Sequence, residues 1–506
     1  MRREADPDDP SENVAGIIDP VAFGDPERAA LIVGDVTSTY ADLAGETGRW
    51  AGTLAVVGVG PGDRIALVDW GGLRSTAVTL AAAHLGAATC LMNPLLTASE
   101  LAVLVEGSGC ARVGVATGEA APALADALGP GGVLLDHPAA SAAAPARAAG
   151  GDADALVLFT SGTTGVPKPV SVSHRSLLAR VRAYRAQFDA SRPASVSLMC
   201  VPSFHVGGML GLLVTLYGAD TTVVLPRFDA GNWLEAVARH RVATAFVVPT
   251  MLARILDHPS LGATDVSSLR TISYGAAAAP AALIERAMEQ WPTVGFVNVF
   301  GQTETLGAYA ALSADDHRDP RRVGSVGRAM PGVEVRVVDP VTGAERDDGQ
   351  QGELWVRTTQ AVHHDHDGGW LATGDLGHRD ADGYLFPAGR RSDVINRGGE
   401  KFGPREVAEA LRAHPAIDDV AVAGIPDQEM GQRVGAVVVL VAGAARPTLD
   451  ELRTWCRTGL ASFKLPEVVV VADRIPYNEL GKIPARVVVD LIRTAPDREP
   501  TTGDSP

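Results

Sequence analysis

The stretch LFTSGTTGVPKP, Leu158 to Pro169, decides how the rest of this 506-residue chain is read. It completes a short apolar run, Leu156 to Phe159, that reads as a buried strand. Small residues follow at once, with Gly162 and Gly165 among them. They let consecutive backbone N–H groups turn into one concavity, to which Thr160, Ser161, Thr163 and Thr164 add hydroxyl donors, and such a loop can wrap phosphate oxygens. Lys168 supplies a point charge. By composition alone, a flexible Ser/Thr/Gly surface turn is an equal reading. No GxxxxGK[ST] pattern can be written through the segment, and no GxGxxG follows a strand anywhere in the chain.

Around this loop, β-branched runs alternate with longer helical stretches. Ile65 to Val68, Val196 to Val201, Thr221 to Leu225 and Thr244 to Val248 read as strands, and Asn232 to His240 and Ala281 to Gln290 as helices. The alternation predicts an α/β fold, with a large N-terminal domain of parallel-rich sheets packed with helices. The length is too great for one core. Beyond Asp375 the turns become polar, then Val420 to Ala423 and Val434 to Val441 read as strands, which predicts a small α+β C-terminal domain. The boundary is placed near Gly389, giving domains of 1–388 and 389–506. An Ala/Pro/Gly-rich linker is expected between Asp136 and Ala155, and disorder at both chain ends.

With 44 Lys and Arg against 60 Asp and Glu, the formal charge is −16, so the mean field repels nucleic acid and anionic membrane surfaces. A bound polyanion therefore needs a local site. Cys90, Cys110, Cys200 and Cys456 show no CxxC or Cys/His spacing, which argues against zinc and disulfides and fits a reducing cytoplasm. No apolar run approaches the ~20 residues of a membrane span, and the charged N-terminus has no secretory pattern.

The loop resembles the TSGTTGxPKG signature of the adenylate-forming superfamily, which comprises acyl-CoA synthetases, adenylation domains and luciferases, with Pro169 where the family usually has Gly. Further signatures follow in family order: PSFHVGGM (Pro202 to Met209), FGQTET (Phe300 to Thr305), GELW (Gly352 to Trp355), TGD (Thr373 to Asp375), GRRSDVINRGGEKF (Gly389 to Phe402) and NELGKIPA (Asn478 to Ala485). STYADLAGETGRWA and GVGPGDRIAL extend the likeness to the N-terminal stretch, so it covers nearly the whole chain.

The resemblance implies ATP-dependent conversion of a carboxylic acid into an acyl-adenylate, followed by thioester formation with CoA. A carrier protein or another acceptor in place of CoA, or a catalytically silent nucleotide-binding relative, are the alternatives. Attack of a weak carboxylate on the α-phosphate requires charge neutralisation at phosphorus and on departing pyrophosphate. By resemblance, the loop from Thr160 to Lys168 takes the β- and γ-phosphates, Thr303 the α-phosphate, and Glu304 the Mg²⁺; the bland alternative for Thr303 and Glu304 is a helix N-cap. Gly275, Ala276, Ala277, Asn298, Phe300 and Gly301 are expected around the nucleotide. Asp375 is expected on the ribose hydroxyls, with Arg390 beside it. Lys482 is the expected catalytic cation.

The acid pocket implied by the resemblance is formed by Phe204, His205, Tyr274, Gly275, Val299 and Gly301. His205, rather than the Asp of peptide-synthetase adenylation domains, favours an acid without an α-amine; a core histidine is the alternative. Gly301 stands where short-acid enzymes carry a bulky aromatic, which favours a medium-sized, aromatic or fatty acid, while Tyr274 and Val299 narrow the walls. Ser392 is the implied hinge residue, where relatives carry Asp or Lys, and Gly398 and Gly399 line the implied thiol channel. The displaced arginine of the GKxxR pattern stands at Arg486, after Ala485. HHDHD, His363 to Asp367, reads as a solvated loop, because adjacent residues do not easily converge on one ion.

Overall fold

In the computed structural model the apolar run becomes the strand Asp154–Thr160, paired antiparallel with Lys168–Ser173, with Thr160 opposite Lys168. The expected phosphate loop thus starts and ends on two cross-strand neighbours. Pro169 lies on the outermost strand of its sheet, the kind of strand in which proline is tolerated. The structure describes residues 12–110, 112–139, 143–160, 167–187, 194–322, 324–358, 369–397, 400–427, 430–479 and 481–495. The loop interior, 161–166, and both chain ends lie outside these residues.

Among the described residues, six strands form one sheet, in the order Val133–Leu135, Val113–Ala116, Arg64–Val68, Ala88–Met92, Asp154–Thr160 and Lys168–Ser173. All but the last pairing are parallel. Nine strands form a second sheet, whose parallel centre runs Gly295–Gln302, Thr271–Gly275, Thr244–Val247, Val196–Met199, Thr221–Val224 and Ala29–Val33. The strands and helices expected from sequence are present, with ends shifted by a few residues. The helix Tyr40–Val56 starts at a side-chain cap: Thr39 accepts the Asp42 N–H and the Asp42 carboxylate accepts the Thr39 N–H.

Among its described residues the expected linker carries no helix or strand between Leu135 and Asp154, yet it is stitched down. The Asn13 amide donates to the carbonyls of Ala83 and Ala148, and the Val14 N–H donates to Nδ1 of His174 at 3.1 Å. Gly150 permits this, since a Cβ there would lie 2.0 Å from the Glu12 carbonyl. Val14, Ile17 and Ile18 are then buried in the core beneath.

His174 is fully buried, and burial pushes its pKa from 6.5 to about 4, with Asp154 opposing. An Nδ1 that accepts a hydrogen bond is lost on protonation. Below the unfolded value the unfolded chain binds the extra proton and the folded one refuses it, so stability is lost as pH falls from about 6.5 towards about 4. Denaturant titration of the wild type should lose about 2 kcal/mol between about pH 7 and about pH 5 that a His174→Gln variant retains. Equal slopes for both proteins would remove His174 as the cause.

The chain divides into two compact units, Met1–Glu334 with Val356–Leu371, and Val335–Trp355 with Ala372–Pro506. This division begins earlier than Gly389. The reason is a hairpin, Trp370–Arg379 against Leu385–Arg390, that belongs almost wholly to the second unit, where Arg405 also donates to the Pro387 carbonyl. Farther along, Glu400–Phe402, Ile395–Arg397, Gly431–Leu440 and Ile417–Asp427 form a sheet, with Val468–Val471 parallel to Gly431–Leu440. The helices Pro404–Arg412, Leu449–Cys456 and Ala485–Thr494 bury Val407, Leu411, Leu452, Cys456, Val488 and Ile492 in its two core clusters, an α+β arrangement. No helix among the described residues is long and apolar enough to cross a membrane. All four cysteines are free thiols.

Candidate active site

In the first unit, the strand Thr271–Gly275 runs parallel to Gly295–Gln302, with Tyr274 beside Asn298 and Gly275 beside Val299. Gly275 is required by that approach: a Cβ would sit 2.3 Å from the Val299 carbonyl and 2.9 Å from its side chain. Directly after it, Ala276 adopts φ +67°, an uncommon left-handed conformation for a residue with a side chain. Ala276 and Ala277 are half-buried, as are Asn298, Val299 and Phe300. Phe300 packs edge-on against Tyr309, ring centroids 5.2 Å apart.

Two expectations for the acid pocket meet structural reasons of another kind. Tyr274 is buried, and its hydroxyl lies 2.8 Å from Nε2 of His317, whose Nδ1 lies 2.6 Å from the Ser313 carbonyl. The tyrosine is thereby tied to a neighbouring loop. Gly301 lies at a register shift beside the strand Gly307–Leu312, and a Cβ there would come within 2.1 Å of the Gly307 carbonyl. The glycine is explained by close backbone approach, without reference to an acid.

No helix follows Thr303 and Glu304, so the N-cap alternative does not apply. They occupy a turn, residues 303–306, joining two antiparallel strands, closed by the Leu306 N–H on the Thr303 carbonyl at 2.9 Å. The Thr305 hydroxyl lies 2.6 Å from the Gly307 carbonyl and accepts the Gln302 N–H at 3.1 Å. Leu306 adopts φ +50° although its side chain is buried in the core. Thr303 and Glu304 are left half-buried on this strained turn.

Phe204 and His205 precede the helix Val206–Tyr217, and their rings meet at a tilt of 52° with centroids 4.5 Å apart. Phe204 also meets Trp70 edge-on at 5.9 Å. The tight entry depends on Gly208, where a Cβ would lie 2.1 Å from the Pro202 carbonyl.

In the second unit, burial alternates along Trp370–Arg379 and places Asp375 on the inward face, 5% exposed. Arg390, its register partner, forms an ion pair with it at 2.8 Å. Beside this pair stands a residue that sequence reading quoted within GELW without assigning it a role. Glu353, 3% exposed, accepts the Gly374 N–H at 3.1 Å and the Arg391 guanidinium at 3.2 Å. Ser392 follows in a short 3-10 turn, its hydroxyl donating to Asp393. Lys482 is exposed on a loop closed by another unassigned residue: Asn478 Oδ1 accepts the Lys482 N–H at 2.9 Å, and the Asn478 N–H donates to the Lys482 carbonyl at 2.8 Å. Arg486 lies one turn on, inside the helix Ala485–Thr494.

Ser161, Gly162, Thr163, Thr164, Gly165, Gly398, Gly399 and the His363–Asp367 cluster lie outside the described residues. At the loop's margins, Thr160 is half-buried and Lys168 exposed. No group of three or more His, Cys, Asp or Glu suited to a metal ion occurs among the described residues.

Residues 19–363 match the AMP-binding enzyme family and residues 406–482 its C-terminal domain, and the chain belongs to this family. It is an AMP-forming ligase of the adenylate-forming superfamily, with the α/β fold expected from sequence. A feruloyl-CoA synthase from Amycolatopsis sp is 33% identical over 90% of this chain and 94% of its own. A fatty acid–[acyl-carrier-protein] ligase, ScoC of Streptomyces coeruleorubidus, is 30% identical over 92% and 94%. Among solved structures, the amide bond synthetase McbA of Marinactinospora thermotolerans superposes with a TM-score of 0.84 at 29% identity, covering 95% of this chain and 99% of that one.

Proposed function

We propose that this ligase activates a medium-sized aromatic or fatty acid with ATP, releases pyrophosphate, and transfers the acyl group to the thiol of CoA. The observation that carries this reading is the likeness to a feruloyl-CoA synthase over nine-tenths of the chain; the sequence also carries Lys168, Thr303, Glu304, Asp375 and Lys482, the residues expected from the family signatures. In this reading the loop 160–168 cradles the β- and γ-phosphates through backbone N–H groups and hydroxyls. Thr303 donates to the α-phosphate. Gly275, Ala276, Ala277, Asn298, Phe300 and Gly301 form the adenine side, and Asp375 accepts the ribose hydroxyls in company with Arg390. Phe204 and His205 gate the acid.

The half-buried carboxylate of Glu304 fits Mg²⁺, which is commonly held by one or two carboxylates together with substrate phosphates and water. When bound, the ion would neutralise phosphate charge. Lys482 then bridges the acid's oxygen and the α-phosphate as the new bond forms, placing its charge where negative charge develops. The domain boundary belongs near Gly389 and the hinge at Ser392, with the thiol entering past Gly398 and Gly399.

The test is acid-dependent exchange of labelled pyrophosphate into ATP across aromatic, fatty and short acids, followed by thioester assay with CoA. Exchange with aromatic or medium-chain acids and thioester with CoA is expected. Exchange without thioester, but with acyl transfer to a carrier protein or an amine, would replace CoA as the acceptor. Absence of exchange with every acid would overturn the reading.

A further inference from the structure

We propose that Arg180, assisted by Tyr184, is a positioning residue for adenylation: its buried guanidinium holds the strained turn 303–306 in the shape that presents Thr303 and Glu304. The inference rests on the assignment of those two residues made above. Arg180 lies in the helix His174–Gln187 and is fully buried. It sits in the stripe Leu177, Arg180, Val181, Tyr184, the spacing of an inward helix face, whereas Arg175, Arg182 and Arg185 have carboxylate partners. Its own hydrogen-bond partners among the described residues are two carbonyls, Thr305 at 2.6 Å and Ala308 at 3.1 Å.

One helical turn on, the Tyr184 hydroxyl accepts the Ala308 N–H at 2.6 Å, and the Arg180 guanidinium lies 5.8 Å from the Tyr184 ring centroid. Gly307, at φ +91°, makes room, because a Cβ there would lie 2.9 Å from that hydroxyl. Leu306, between the two gripped carbonyls, is the residue in left-handed conformation, which a side chain adopts only when its surroundings enforce it. The helix therefore grips 305 and 308, while Thr303 and Glu304 remain half-buried on the other limb. Stability alone does not select a guanidinium here, since an apolar side chain of similar size avoids the cost of burying a charge. Control of two carbonyl directions does.

The test compares Arg180→Met, Arg180→Lys and Tyr184→Phe in the full chain by acid-dependent pyrophosphate exchange, Mg²⁺ titration and amide hydrogen exchange over residues 302–309. For Arg180→Met, kcat is expected to fall about 30-fold or more at saturating acid, with the acid KM changed less than about 3-fold and the half-saturating Mg²⁺ raised about 10-fold. Amide exchange in the turn should quicken, and Arg180→Lys should recover part of each loss. A merely structural role would lower the folded fraction and leave the kcat of folded enzyme and the Mg²⁺ dependence unchanged, and that result would overturn the proposal. So would wild-type amide exchange in the turn. If Arg180→Met does not fold, Tyr184→Phe carries the same comparison with an expected kcat loss of about 3- to 10-fold. A wild type silent with every acid defeats the functional assignment instead, and amide exchange still decides whether Arg180 holds the turn.

Discussion

Lys482→Ala is expected to lower acid-dependent pyrophosphate exchange by about a hundred- to a thousandfold, while ATP affinity changes less than about threefold. A cation that acts on charge developing at the α-phosphate contributes to the transition state and little to the ground state. The variant should fold normally, since the side chain is exposed and both bonds that close its loop are made by the backbone of residue 482 with Asn478. Exchange rates and equilibrium ATP binding, measured on the same preparation, separate the two effects. Wild-type turnover would remove Lys482 from the chemistry, and an equal loss of affinity would make it a simple nucleotide-binding residue.

Asp375→Ala is expected to raise the KM for ATP about a hundredfold, with Asp375→Asn in between, because a carboxylate accepts two hydroxyls at once and an amide oxygen cannot replace both. The released partner is no obstacle to folding. The Arg390 side chain is 41% exposed, so water can solvate its charge and the stability cost should stay below about 1 kcal/mol. A sharper readout is 2′-deoxy-ATP, which the wild type should use about tenfold less efficiently than ATP and the alanine variant about equally well. Unchanged discrimination in Asp375→Ala would place the ribose elsewhere.

Much of the architecture was legible because its signals are local. β-branched runs bounded by turn residues marked the parallel strands. The expected site rests on chemistry and motif order together, as in the loop before Lys168 and the Thr303–Glu304 pair. Features set by tertiary contact were not legible. Arg180 reads as one more surface arginine in an arginine-rich helix until the carbonyls of Thr305 and Ala308 are found beside it. Ala276 and Leu306 hide their left-handed backbones, since neither is a glycine. Gly301 invited an argument about pocket size, yet the opposing carbonyl of Gly307 accounts for it. The division at residue 335 follows long-range packing, which leaves no compositional break in the sequence.

The N-terminal stitch sets an order on synthesis. Asn13 bonds to carbonyls 70 and 135 residues downstream, and Val14 to a ring 160 residues downstream. On a ribosome, Val14, Ile17 and Ile18 emerge long before His174, so the greasy segment they form stays only partly covered until the helix that begins at His174 has left the tunnel.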